Sequence, residues 1–254
     1  MHLPDPTAVP TRTPPPAQPP VAPRKRLTPG VLLMLLTAFA GFACSRPTHA
    51  ATDLPTPQQD LETQSTDEQP TAVAVFAGGC FWCTEAVFEQ LRGVDTVVSG
   101  YAGGDEADAN YQAVSAGLTQ HAEAIEITYH PDQISYGQLL QVFFGAAHNP
   151  THVDRQGNDH GRQYRSAIFY QSPEEKQVAE AYIEQLTDAQ IFDRPIATKL
   201  EPLTRFFPAE AYHQDYVVNN PTQGYVAAVA VPKVQKVRKD FDQLLKSEPV
   251  DSDD

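Results

Sequence analysis

Apolar and polar positions settle into regular patterns only from about residue 72 onward. Residues 73–77 (VAVFA) form a brief apolar run closed by Gly78 and Gly79, which predicts a buried strand and a turn. Val87, Phe88 and Leu91 then predict a helix that stops at Gly93. Residues 96–101 predict a second strand, and residues 122–129 (AEAIEITY) alternate cleanly and predict a third. Residues 135–147 open with Ser135 and Gln138 as a capping box ahead of Leu139, Leu140, Val142 and Phe143, which predicts a helix. A strand follows over 166–170. Ser172, Pro173 and Glu175 then start another helix, with Val178, Tyr182 and Leu186 on its inner face. A strand is predicted over 196–203, and helices over 208–217 and 231–245. Such a mixture predicts an α+β domain with helices layered on a sheet. That domain spans residues 72–246, an ordinary domain size.

The segment before it reads differently. The chain has 23 prolines, and most lie before Ala72. Residues 1–23 are too proline-rich to bury a core. Arg24, Lys25 and Arg26 form a basic cluster, and residues 31–43 (VLLMLLTAFAGFA) are an apolar run. That run is shorter than the roughly 20 residues a spanning helix needs. Basic cluster, short apolar run and small residues together predict an export signal within residues 1–44. Two readings of its end stand: lipidation of Cys44 after cleavage, or cleavage after Ala43 or Ala50 without lipid. Residues 45–71 read as a flexible polar linker, and residues 247–254 as an acidic tail. The expected location is the periplasm or cell envelope, with membrane contact only through the signal or a lipid anchor.

Charge excludes one class of partner. With 18 Lys and Arg against 32 Asp and Glu, the net charge is −14, the wrong sign for nucleic acid. Three cysteines, Cys44, Cys80 and Cys83, are too few for a disulfide scaffold or a four-thiolate zinc site. No metal or cofactor is expected.

The chemistry concentrates at Gly79-Cys80-Phe81-Trp82-Cys83. A cysteine after a strand and a Gly-Gly turn, opening a helix, sits where N–H groups and the helix dipole favour the thiolate. The alternative is a buried cysteine that only packs. Phe81 and Trp82 read either as core or as an apolar pocket for a small alkyl group.

Several blocks taken in order resemble one family. Gly79–Trp82 (GCFW) is similar to the signature of the A-type peptide-methionine (S)-S-oxide reductases. So are 99–104 (SGYAGG), Asn110-Tyr111, His121-Ala122-Glu123, 155–161 (RQGNDHG), 163–166 (QYRS), 208–210 (PAE) and 212–214 (YHQ). The resemblance implies a two-layer α/β sandwich with a ferredoxin-like core and an extended coil C-terminal region. It implies reduction of the S epimer of methionine sulfoxide, free or in proteins, with Cys80 attacking the sulfoxide sulfur. Phe81 and Trp82 would hold the methyl group. Glu123 would protonate the departing oxygen, Tyr111 and Tyr164 would hydrogen-bond it, and Asp159 would order the polar side of the pocket. A thioredoxin-like donor would regenerate the thiols. On pattern alone, Glu123 reads as a solvent-facing residue of an alternating strand. Tyr111 and Tyr164 read as half-buried tyrosines, and Asp159 as a loop residue. Sulfoxide oxygen leaves only when protonated, and burial is the simplest way to keep a carboxyl group protonated near neutral pH.

This chain departs from the pattern in three places. Cys83 stands where relatives often carry Gly, Val226 where they often carry Cys, and Gln120 where Gly is usual. The thiol that resolves a Cys80 sulfenic acid is therefore Cys83 or an external one. Two other readings follow from fewer residues: a thioredoxin-like dithiol oxidoreductase, from C-x-x-C alone, and a non-enzymatic acidic binding module.

Overall fold

A computed structural model describes residues 54–62 and 71–247. The elements are β1 (Ala72–Gly78), α1 (Phe81–Phe88), β2 (Val94–Ala102), α2 (Tyr111–Ser115), β3 (Ala122–Tyr129) and α3 (Tyr136–Val142). They continue with β4 (Arg155–Gln156), β5 (Asp159–His160), β6 (Ser166–Tyr170), α4 (Pro173–Asp188), β7 (Lys199–Pro202), β8 (Phe206–Pro208), α5 (Tyr216–Asn219) and α6 (Val231–Asp240). The six-stranded sheet runs β7-β6-β1-β3-β2-β8, and β4 pairs only with β5. Every pairing is antiparallel except β6 with β7, which α4 connects as a crossover. The two-layer α/β class expected from the sequence is the class observed. β1, α1, β2, β3, α3 and β6 follow the β-α-β-β-α-β order, with β6-β1-β3-β2 adjacent in the sheet. That arrangement is consistent with a ferredoxin-like core.

Period-2 alternation explains which side chains face the helices. Ala74 and Phe76 of β1, and Ile125, Ile127 and Tyr129 of β3, enter the main core with Phe88, Leu91, Leu139, Leu140 and Phe143. Val75, Ala77, Ala122, Ala124, Ala167 and Phe169 form a thinner cluster on the opposite face. Glu123 shares its face with Ile125 and Ile127. The register therefore turns a carboxyl group toward α1 and buries it.

Helix starts obey local chemistry. The Ser135 hydroxyl accepts from Gln138 N at 3.2 Å while the Gln138 side chain accepts from Ser135 N at 2.9 Å, closing the predicted capping box. Ser172 caps α4 by accepting from Glu175 N at 3.1 Å. Val178, Ala179, Tyr182 and Leu186 are the buried stripe of α4, and full burial of Leu186 alone contributes roughly 2 kcal/mol.

Four expectations need correction. Residues 208–217 are not a helix. β8 ends there, a 3-10 turn follows over Ala211–His213, and Asp215 at φ +54° turns the chain before the four-residue α5. The last helix ends at Asp240 and a separate turn follows over Asp242–Leu244. The predicted strand over 196–203 shrinks to β7. Finally, residues 54–62, read as part of a free linker, are a strap bound across α3 and α4. Gln141 Nε2 donates to Leu54 O at 3.1 Å, Tyr182 donates to Pro55 O at 3.0 Å, and Gln185 Nε2 donates to Thr56 O at 2.9 Å. Asp60 accepts from Gly137 N at 2.9 Å and from the Ser135 hydroxyl, while Leu54 and Leu61 pack against the core. Proline and glutamine content concealed this docking, because its partners lie far along the chain. The signal, Cys44 and the acidic tail fall outside the described residues.

Candidate active site

β1 delivers the chain into the site through Gly79, whose φ of +88° suits glycine. A Cβ there would come within 2.4 Å of Gln156 Cγ, so the turn and the β4-β5 hairpin close on each other only without a side chain. Cys80 follows as the N-cap residue of α1, with 6% of its surface exposed, while Cys83 is fully buried against Val226 and Ala230. Both thiols are free.

Glu123 reaches this helix start from β3. Its Oε2 accepts from the Phe81 N–H at 3.1 Å. Burial raises its pKa to about 8, against the lowering effect of that hydrogen bond, and the charges of Asp159 and Cys83 raise it further. The carboxyl group is therefore protonated at neutral pH.

The two sulfurs titrate as a pair. Hydrogen bonding from the Cys80 thiol lowers Cys83 to about 7, against burial and assisted by Lys233. Burial, the Cys83 sulfur and the Glu123 charge hold Cys80 well above the ordinary thiol range. The two thiols therefore form one titrating unit that loses its first proton near neutral pH. Cys80 makes no side-chain cap, and the Phe81 N–H at the start of α1 is directed to Glu123.

Aromatic rings wall the cleft. Phe81 is buried against Tyr101, with ring centroids 5.9 Å apart, and against His213 at 5.1 Å. Trp82 lies flat on Tyr216, 3.8 Å away at 9°, and donates its indole N–H to His213 Nδ1 at 3.1 Å. Burial lowers the His213 pKa, which suits a neutral ring that accepts at Nδ1. Tyr111 packs on His213 at 4.3 Å. Neither the Tyr111 nor the Tyr164 hydroxyl bonds a protein group among the described residues. Burial first, then the charges of Glu123 and Cys80, raise both phenols and keep them protonated. Asp159, on the hairpin, accepts from Tyr225 OH at 2.6 Å, and that same hydroxyl is 4.0 Å from Cys83 Sγ.

All eight residues singled out in the folded domain (Cys80, Phe81, Trp82, Cys83, Tyr111, Glu123, Asp159 and Tyr164) converge here. Sequence reasoning assigned no role to five others. Tyr101 is fully buried and donates to Glu210 Oε2 at 2.8 Å, while Glu210 Oε1 accepts from Tyr111 N at 3.0 Å. His213, Tyr216 and Tyr225 complete the aromatic wall. Glu210 and His213 stood in the 208–214 blocks already noted, which was the available signal. Tyr216 and Tyr225 meet partners over 60 residues away, and no local pattern marks them. Among the described residues no group of three His, Cys, Asp or Glu side chains is placed to hold a metal ion, and no helix is long and apolar enough to cross a membrane.

A thiol pair at a helix start, faced by a protonated carboxyl group inside an aromatic cleft, marks a thiol-based redox site on an α/β sandwich. The profile of the family described as peptide methionine sulfoxide reductase matches residues 72–245. The chain is 54% identical over 195 residues to peptide methionine sulfoxide reductase MsrA 2 of Synechocystis sp., covering 77% of this chain and 91% of that one. It is 51% identical over 188 residues to the MsrA of Deinococcus radiodurans, covering 73% and 91%. Among solved structures, reduced Mxr1 of Saccharomyces cerevisiae superposes with a TM-score of 0.54 at 32% identity, covering 63% of this chain and 91% of that one. Methionine sulfoxide reductase A of Corynebacterium diphtheriae gives 0.52 at 32% identity, covering 62% and 78%. The chain belongs to the peptide methionine sulfoxide reductase family, as a peptide-methionine (S)-S-oxide reductase of the A type.

Proposed function

We propose that the chain reduces the S epimer of methionine sulfoxide, free and in proteins, through a sulfenic acid on Cys80. One observation carries the reading: Glu123 is held neutral beside Cys80 by burial, so a proton is available where the sulfoxide oxygen needs it. Substrate enters with its methyl group between Phe81 and Trp82 and its oxygen toward Glu123, Tyr111 and Tyr164. The Cys80 proton passes to Cys83, and the Cys80 thiolate attacks sulfur. Glu123 protonates the oxygen, the S–O bond breaks as the hydroxyl moves to the Cys80 sulfur, the new bond between Cys80 and the substrate sulfur breaks with its electron pair going to methionine, and methionine leaves with Cys80 as its sulfenic acid. Cys83 then attacks the Cys80 sulfur, water departs, and a Cys80–Cys83 disulfide remains. A thioredoxin-like dithiol reduces that disulfide and becomes oxidised itself. Asp159 and Tyr225 keep the polar wall in place.

The basic cluster and apolar run of residues 24–43 support export, which makes oxidised envelope proteins the target of repair. Lipidation of Cys44 and cleavage without lipid remain the two forms of that proposal, and mass measurement of the mature chain separates them. The enzymatic reading is tested by offering separated S and R sulfoxide epimers of one peptide with dithiothreitol. Conversion of the S epimer alone is expected. Conversion of the R epimer alone, or of neither, contradicts the proposal.

A further inference from the structure

Glu85 has no part in the chemistry above, yet only 1% of its surface is exposed. It lies one helical turn after Trp82 on α1, so both side chains project toward the same segment of chain. Its carboxyl group faces the Ser99 hydroxyl and the backbone N–H groups of Asp215 and Tyr216. The approach is loose: Glu85 Oε1 and Ser99 Oγ each lack a partner within hydrogen-bond distance. Asp215 is in the left-handed region at φ +54°, and the next residue, Tyr216, carries the ring that stacks on Trp82. Gln214, the residue before, is tied to β2, with Ser99 N donating to its Oε1 at 2.9 Å and its Nε2 donating to Ser99 O at 3.0 Å.

We propose that Glu85 is a positioning residue for sulfoxide reduction: its carboxylate holds the Asp215–Tyr216 turn and, through it, keeps Tyr216 flat against Trp82. The inference rests on the reading of Trp82 as a wall of the substrate pocket. A strained turn persists only where its surroundings hold it. The Asp215 and Tyr216 N–H groups lie near that buried carboxyl group, whose Oε1 has no partner of its own, and a carboxylate there attracts them more strongly than a neutral acid does.

The arrangement makes the stack sensitive to pH. Burial raises the Glu85 pKa to about 7 against the lowering effect of the nearby Ser99 hydroxyl and the Asp215 and Tyr216 N–H groups, and the Asp215 charge raises it further. Glu89 also faces the cluster from α1, lifted to about 8 by burial and by Glu85 and Asp215, with Lys246 opposing. On the Trp82 side the titratable neighbours are His213, Tyr216 and Tyr225, with Cys80 and Cys83 in the same apolar cluster. As pH rises through about 7, Glu85 charges, grips the turn more tightly and firms the stack.

Trp82 is the only tryptophan in the chain, so its emission reports the stack directly. The experiment follows Trp82 fluorescence from acid to mildly alkaline pH in the reduced full chain, and measures methionine sulfoxide kinetics, for wild type, Glu85→Gln, Glu89→Gln and Asp215→Asn. The wild type is expected to show an emission step near pH 7, and Glu85→Gln to lose it. Glu85→Gln should also raise KM about five- to tenfold with kcat within about twofold, the pattern of lost binding with the chemical step intact. Asp215→Asn should move the step to lower pH, because a charge that opposes ionisation is gone, and Asn tolerates the left-handed backbone. A full step and unchanged KM in Glu85→Gln overturns the proposal, as does loss of the step in Glu89→Gln instead. Should Glu85→Gln fail to fold, an unmoved midpoint in Asp215→Asn overturns it. Absence of turnover in the wild type would contradict the proposed function and leave the emission result standing.

Discussion

The backbone N–H of Phe81 donates to Glu123 Oε2 at 3.1 Å, tying the start of α1 to the buried carboxyl group of β3. This contact orders the whole site. It fixes that carboxyl group at the helix start that carries Cys80 and leaves its second oxygen for a proton. On the proposed mechanism Cys80 passes its proton to Cys83, so the two cysteines act as one titrating unit.

On the proposed mechanism Glu123 sets the alkaline limit of activity. Its acid form is needed and its pKa is about 8, so the rate of sulfoxide reduction should hold through neutral pH and fall as pH rises through about 8. Glu123→Gln should reduce that rate by about 100-fold or more. Stability should move the other way. A carboxyl group with a folded-state pKa above its unfolded value contributes fully at acid pH, and that contribution is lost as pH climbs from the ordinary carboxyl range through about 8. The variant escapes the loss and should exceed wild type by on the order of 2 kcal/mol at alkaline pH, with the gap closing under acid conditions. Urea titrations at the two extremes measure the difference, and a variant less stable at both removes this account of Glu123.

Thiol alkylation probes the cysteine pair. Wild type should gain reactivity in a step near pH 7, where the pair loses its first proton. Cys83→Ser leaves Cys80 with its burial and without its proton acceptor, so reactivity at neutral pH should drop roughly tenfold. A Cys83→Ser variant that alkylates as fast as wild type contradicts proton sharing.

Tyr225 separates the two half-reactions. Tyr225→Phe deletes the 2.6 Å bond to Asp159 and the contact with Cys83. Stopped-flow measurement should find the first release of methionine within about twofold of wild type and disulfide formation slowed about fivefold. Equal slowing of both steps argues against this division.

Most of the framework was legible in the sequence because it rests on local rules. β3 could be read from AEAIEITY, and α3 and α4 from their Ser caps. The Cys80 to Cys83 segment stood out because a turn of glycines precedes it. What escaped is long-range. Residues 208–217 carry helix-compatible side chains, but Gln214 bonds the edge of β2 and Asp215 turns left-handed, so tertiary contacts overrode local preference. The shared titration of the two thiols depends on their burial and on each other, which a residue list does not contain.

The strap belongs to the same lesson and makes its own prediction. Asp60→Ala removes acceptors from Ser135 and Gly137 at the start of α3, far from Cys80 in the chain. It should cost about 1 kcal/mol of stability and leave kcat unchanged. Thermal unfolding beside a standard activity assay checks both; lost activity with intact stability would show that the strap serves the site instead.

The most direct test of Cys80 and Glu123 as nucleophile and acid is a single turnover of Cys83→Ser with the S epimer and no reductant, followed by peptide mass analysis. The account predicts one methionine released per chain and one oxygen on Cys80, with the burst rate collapsing in Glu123→Gln. Release of no methionine, oxygen on any other residue, or a Glu123→Gln burst equal to wild type contradicts it.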